Sequence, residues 1–92
     1  MTRAVEGELH SSLKRSTTGT VKATGGVLHG WYVNTVPSAA VTLTDAGGAL
    51  GAGVVIPTTA AAGTYVIGLD LQFGGALTAT FAGTGDITFI FN

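Results

Sequence analysis

The chain has no cysteine, only two prolines, and no lysine or arginine beyond residue 22. The first absence excludes disulfides and thiolate metal sites and leaves the redox compartment unreadable. The third is unusual for a sheet-forming sequence, because soluble β proteins guard their strand edges with charged residues, lysine above all. Charged residues make up 10% of the 92, against about 25% in an average soluble domain. Arg3, Lys14, Arg15 and Lys22, set against Glu6 and Glu8, give residues 1–22 a charge of +2. Asp45, Asp70 and Asp86 leave residues 23–92 at −3. Phosphate neutralisation dominates nucleic-acid affinity, so a body without cations argues against nucleic acid as a partner. No apolar run approaches the ~20 residues of a membrane helix, and the opening Met1–Glu8 lacks the apolar segment of a signal peptide. No membrane partner is expected.

What the chain does have is glycine, alanine and threonine, nearly half of all residues, within a composition that is 46% hydrophobic. A surface built from such residues costs little to desolvate and suits packing against neighbours. Ninety-two residues fit one domain with a modest core.

The pattern along the chain is strand, turn, strand. Residues 1–18 are polar, carry both charge signs, and read as an N-terminal arm with a strand near Glu8–Arg15. The sandwich domain then spans residues 19–92. Val41 and Leu43 alternate with Thr42 and Thr44. Tyr65, Ile67, Leu69, Leu71 and Phe73 share one parity over the longest alternating stretch, which reads as one half-buried strand bent near Gly68 or Asp70. Leu77, Ala79 and Phe81 point inward against Thr78 and Thr80, and Ile87, Phe89 and Phe91 form a last inward row. No window combines helical period with caps. Seven to eight short strands at this spacing predict an all-β fold, an antiparallel β-sandwich with jelly-roll-like connections. Trp31, Leu43, Ile67, Leu69, Phe81 and Phe89 are its expected core.

Residues that could carry chemistry are few. No serine sits in a nucleophile elbow, and only His10 and His29 could act as bases, neither with a carboxylate nearby in sequence. His29 reads as a strand residue bonding backbone through one nitrogen, and His10 as an exposed residue of the arm. Metal-ligand spacing is absent, although a histidine near a three-fold axis would be tripled by symmetry. Asp45 and Asp86 lie in turn contexts that favour backbone capping over glycoside chemistry. The stretch Gly47–Gly53 is followed by neither lysine nor helix and is not a phosphate loop. No catalytic residue, cofactor or metal site is expected. Trp31, Tyr32 and Tyr65 could form a sugar-binding platform, but parity places Trp31 with Val27 and Val33, and Tyr65 with Ile67, in the core. Leu28 and Tyr32 fall on the opposite face, as an exposed intersubunit contact.

The segment Gly26-Val-Leu-His-Gly-Trp-Tyr-Val-Asn34, with Val41-Thr-Leu-Thr-Asp45, Leu77-Thr-Ala-Thr-Phe81, Gly83-Thr-Gly-Asp86 and the terminal Ile87–Phe91, resembles the small β-sandwich virion structural proteins of tailed bacteriophages, of the head decoration (cement) or head-fibre type. The resemblance covers about residues 19–92. It implies a non-enzymatic capsid decoration protein located in the virion at the head surface, made in the host cytoplasm. Its partners would be the major capsid protein or other virion subunits, and decoration proteins commonly sit as trimers. The alternative is a tail fibre, spike or neck/tail adaptor domain, with receptor or glycan binding. Arg3, Leu9, Leu13, Lys14, Arg15, Leu28 and Tyr32 are the expected partner-interface residues. The arm is expected to reach a neighbour, adding a strand and placing Lys14 and Arg15 near acidic surface.

Overall fold

A computed structural model of the chain describes residues 11–48, 50, 53–66 and 68–92. These form an all-β structure of nine strands in two antiparallel sheets, packed as a sandwich around one core. The strands are β1 Ser11–Arg15, β2 Gly19–Lys22, β3 Gly26–Thr35, β4 Val41–Asp45, β5 Val54–Ile56, β6 Tyr65–Val66, β7 Leu71–Phe73, β8 Leu77–Phe81 and β9 Asp86–Phe91. One sheet runs β1-β9-β3-β6, with β7 also pairing to β3, and the other runs β2-β8-β4-β5. Each sheet therefore interleaves strands from the two ends of the chain.

Period-two alternation explains the regular strands. In β4, Val41 and Leu43 are fully buried between half-buried or exposed threonines. In β9, Ile87, Phe89 and Phe91 are buried while Thr88 and Ile90 are only partly so. Together with Val21, Trp31, Val33, Ile56, Phe73, Leu77 and Ala79 they fill the space between the sheets.

Strand β3 departs from alternation. Its register on β9 shifts between Leu28 and Gly30, so one extra residue separates the two halves of β3. Leu28 lies opposite Phe91 and Leu71, and Trp31 lies opposite Phe89 and Val66. One residue lies between Phe89 and Phe91 on β9, but two lie between Leu28 and Trp31 on β3. The bulge thus turns both Leu28 and Trp31 inward, Leu28 at 0% exposure. The expectation that Leu28 lies on the outer face is corrected: a fully buried side chain offers no surface to a partner.

The same bulge divides the long alternating stretch. Instead of one bent strand, the edge partner of β3 breaks into β6 and β7. Between them Gly68 has φ +78° and Asp70 φ +50°, left-handed backbone that no continuous strand adopts. The amide of Leu69 still donates to the His29 carbonyl at 3.0 Å, so the excursion stays pinned to the bulge. Leu69 and Phe81 are half-buried against the core, whereas Ile67 lies outside the described residues. Tyr65, expected inside, is 59% exposed, because it stands opposite Tyr32 on the outer side of the sheet.

Of the expected N-terminal arm, residues 11–18 are described and contain β1. Ser11–Arg15 pairs residue by residue with β9 of its own chain, and Leu13 packs against its own core. This strand is part of the chain's own sheet. The remainder of the expected arm, including Arg3, Leu9 and His10, lies outside the described residues.

Asp45 fastens the turns at one end. Its carboxylate accepts backbone N–H bonds from Gly47, Gly74 and Gly75, each at 2.8 Å, and so joins the turn after β4 to the β7–β8 turn. Hydrogen bonds to a charged acceptor contribute about 1.5–3 kcal/mol where they hold such turns. In denaturant titrations Asp45→Ala should lose about that much. Phe89→Ala should lose about 3–5 kcal/mol, as buried aromatics do, and Phe81→Ala distinctly less because Phe81 is only partly buried.

Candidate functional face

The outer face of the β1-β9-β3-β6 sheet carries nearly all of the chemically distinctive side chains. A cross-strand row runs Lys14–Thr88–Tyr32–Tyr65 over four neighbouring strands. The two tyrosine rings are stacked, with centroids 6.2 Å apart and planes 16° from parallel. Asn34 stands beside this row, donating through Nδ2 to Thr88 Oγ1 at 2.9 Å and to Asp86 Oδ1 at 3.3 Å. The other carboxylate oxygen of Asp86 meets Lys14 Nζ at 3.2 Å. Exposure of the Lys14 side chain is 66%, so the ion pair contributes at most about 1 kcal/mol of stability. Its effect is to hold Asp86 and Asn34 in fixed orientation.

At the far end of the same face, the bulge presents His29. Its Nδ1 lies 2.7 Å from Asp70 Oδ1, and its Nε2 lies 3.0 Å from Asn92 Oδ1. The two partners are 41 and 63 residues away in sequence. His29 therefore uses both ring nitrogens on side chains, not one on backbone as expected. With Nε2 directed at Asn92, the pair does not form a relay to a nucleophile. It ties the end of β9 to the excursion at residues 68–70.

The other predicted contact residues are placed differently. Arg15 is bound within its own crossover turn, donating to the carbonyls of Thr17 at 3.0 Å, Thr18 at 3.4 Å and Thr20 at 3.5 Å. Lys22 folds over the next turn, with Nζ 2.7 Å from the Gly25 carbonyl. Lys14 pairs with its own Asp86 rather than with a neighbour's acid. Tyr32 is exposed at 40%, as parity indicated, and is joined there by Tyr65. Sequence reasoning missed the Asn34–Asp86–Thr88 cluster. The only signal was that these polar residues flank Tyr32 and the terminal strand, and their meeting depends on the β3–β9 register.

The opposite outer face, on the β2-β8-β4-β5 sheet, is of another kind. Its cross-strand rows are Thr20–Thr78–Thr44 and Thr80–Thr42–Val55. The rows contain no charged side chain. From residue 46 to residue 69 the sequence has no Asp, Glu, Lys, Arg or His. Val55, 55% exposed, lies at the edge of this face.

Among the described residues no group of three or more His, Asp or Glu is gathered to hold a metal ion, and no helix is long and apolar enough to cross a membrane. If His29 pins the excursion as described, His29→Ala and Asp70→Ala should each speed hydrogen exchange at the Leu69 amide while leaving Phe89 and Leu43 protected. Equal exchange at Leu69 in both variants would contradict the role.

Comparison of the chain with protein-family models, with curated proteins and with solved structures found no match.

Proposed function

We propose that this protein is a non-enzymatic structural component of a bacteriophage virion, a capsid decoration protein that binds the head surface as a homo-oligomer, with a trimer as the favoured state. The observation that carries the reading is the separation of charge between the two faces. The cross-strand rows of one outer face are threonine and valine, with that sheet's two charged residues, Lys22 and Asp45, bound to turns at its strand ends, while Lys14, His29 and Asp86 lie on the other sheet. An uncharged face of short side chains loses little solvation when covered, and it can lie flat against a subunit lattice. Many copies, each contributing modest contacts, would clamp neighbouring capsid subunits by avidity.

Two further features support it. The strand order β1-β9-β3-β6 over β2-β8-β4-β5, with β6 and β7 both pairing with β3, supports jelly-roll-like connections, and jelly rolls are used by capsid proteins and lectins. The edge strand β5 carries no charge to repel an added strand. The proposed partners are the major capsid protein and other copies of this chain.

A second reading, a tail fibre, spike or neck/tail adaptor domain, is favoured by the exposed tyrosine pair, since an aromatic cluster held open to solvent suits recognition of something outside the particle.

Introducing lysine into the uncharged face separates docking from folding. Thr80→Lys and Val55→Lys sit on exposed strand positions and should shift thermal unfolding by only a few degrees. Both should abolish co-sedimentation with expanded empty heads. A double variant that still decorates heads at full occupancy would refute the proposed docking face.

A further inference from the structure

We infer that the outer face of the β1-β9-β3-β6 sheet is a binding site for a neutral oligosaccharide, with Tyr32 and Tyr65 as the stacking platform and Asn34, Asp86 and Thr88 as its hydrogen-bonding groups. The site lies on the face opposite the proposed docking surface, and the inference holds whether the protein sits on the head or the tail.

The aromatic pair is the first support. Two large rings at 40% and 59% exposure, nearly parallel and held on adjacent paired strands, are not filling a core. An aromatic ring with a polar tip presents an apolar face and a hydroxyl together, which is what a pyranose ring presents in return. Among the described residues neither tyrosine hydroxyl has a hydrogen-bond partner.

The polar groups are the second support. Both hydrogens of Asn34 Nδ2 are spent on Asp86 and Thr88. That fixes the amide and leaves Oδ1 as an acceptor toward solvent. Thr88 accepts from Asn34 and keeps its own O–H to donate. Saccharide hydroxyls need such alternating donors and acceptors at fixed positions, and strand-borne groups supply them with little loss of entropy. From Lys14 to Tyr65 the row crosses three strand spacings, about 14 Å, room for several linked sugar rings rather than one.

Charge selects among ligands. The one cation in the row, Lys14, is neutralised by Asp86, and Asp70 adds negative charge at the other end of the face. Phosphate, sulfated sugar or nucleic-acid backbone would meet no free cation there. A second copy of this chain is also a poor fit, because interface centres are depleted of charged residues and this row holds an ion pair beside its tyrosines.

The test is a titration of the intact protein, followed by amide NMR, with cellohexaose, maltohexaose and chitohexaose. At least one should give saturable shifts centred on Tyr32, Asn34, Tyr65 and Thr88. Tyr65→Ala should weaken that binding roughly tenfold, about 1.4 kcal/mol, while Tyr65→Phe retains it because the ring face does the stacking. Asn34→Ala should weaken it as well, and Val55→Ala, on the opposite sheet, should not. The inference is overturned if none of the three sugars gives saturable shifts, or if the shifts fall elsewhere. It is also overturned if Tyr32→Ala or Tyr65→Ala converts an oligomer to monomers, which would make the face a contact between copies. Tighter binding of a single-stranded oligonucleotide than of any sugar would overturn it too.

Discussion

Of the two extra residues that β3 carries against β9, the first determines how the core and the sheet edge are arranged. With strict alternation, Leu28 and Trp31 could not both face the core, being an odd number of residues apart. The bulge between Leu28 and Gly30 absorbs that residue, and both side chains enter the sandwich beside Phe91 and Phe89. On the other flank of β3 the edge partner accommodates the bulge by splitting into β6 and β7, with left-handed backbone at Gly68 and Asp70. His29 projects at the bulge, and Tyr32 is brought opposite both Thr88 and Tyr65. The composition of the candidate functional face is thus a consequence of how the core is packed.

Where strands are regular, alternation alone revealed the fold. Val41–Thr44, Leu77–Phe81 and Ile87–Phe91 occupy the faces that their parity indicates, and the all-β sandwich follows from them. Parity failed where β3 bulges, because a bulge is defined by the count on the partner strand, and β9 lies about 60 residues away in the chain. Leu28 and Tyr65 were misplaced for this one reason. The arginine and lysine near the N-terminus were legible as charges but not as turn caps. Nothing in the order Arg15-Ser-Thr-Thr-Gly-Thr20 indicates that the guanidinium folds back on three carbonyls of that turn. Of the strand expected near Glu8–Arg15, the described part, Ser11–Arg15, is β1, but its partner was not legible: it pairs with β9 of its own sheet.

The candidate site was half legible. Tyr32 and its exposure could be read from the strand pattern, and the idea of an aromatic platform included Tyr65. Trp31 drops out because it lies in the core, on the side that its parity with Val33 indicated. The polar half of the site, Asn34 with Asp86 and Thr88, required the three-dimensional register. The uncharged threonine face was visible as alternating Thr in two strands, but its continuity across β2, β8, β4 and β5 appears only once the sheet order is known. Under the proposed function the two faces would divide the work: one would shed little water on contact with a lattice, and the other would keep its aromatic and hydrogen-bonding groups exposed. The body's scarcity of charge, which would be a liability in a free-standing β protein, is consistent with a chain that spends its life covered on one side.

The central claim is this division of faces, and a reconstruction of the intact phage particle, at a resolution that separates the two sheets, tests it most directly. The account predicts copies of the sandwich on the head lattice with Thr42, Thr80 and Val55 against capsid subunits and with Tyr32 and Tyr65 directed away from them. Density that buries the tyrosine pair against the capsid, or heads that carry no copy of the protein, would contradict it.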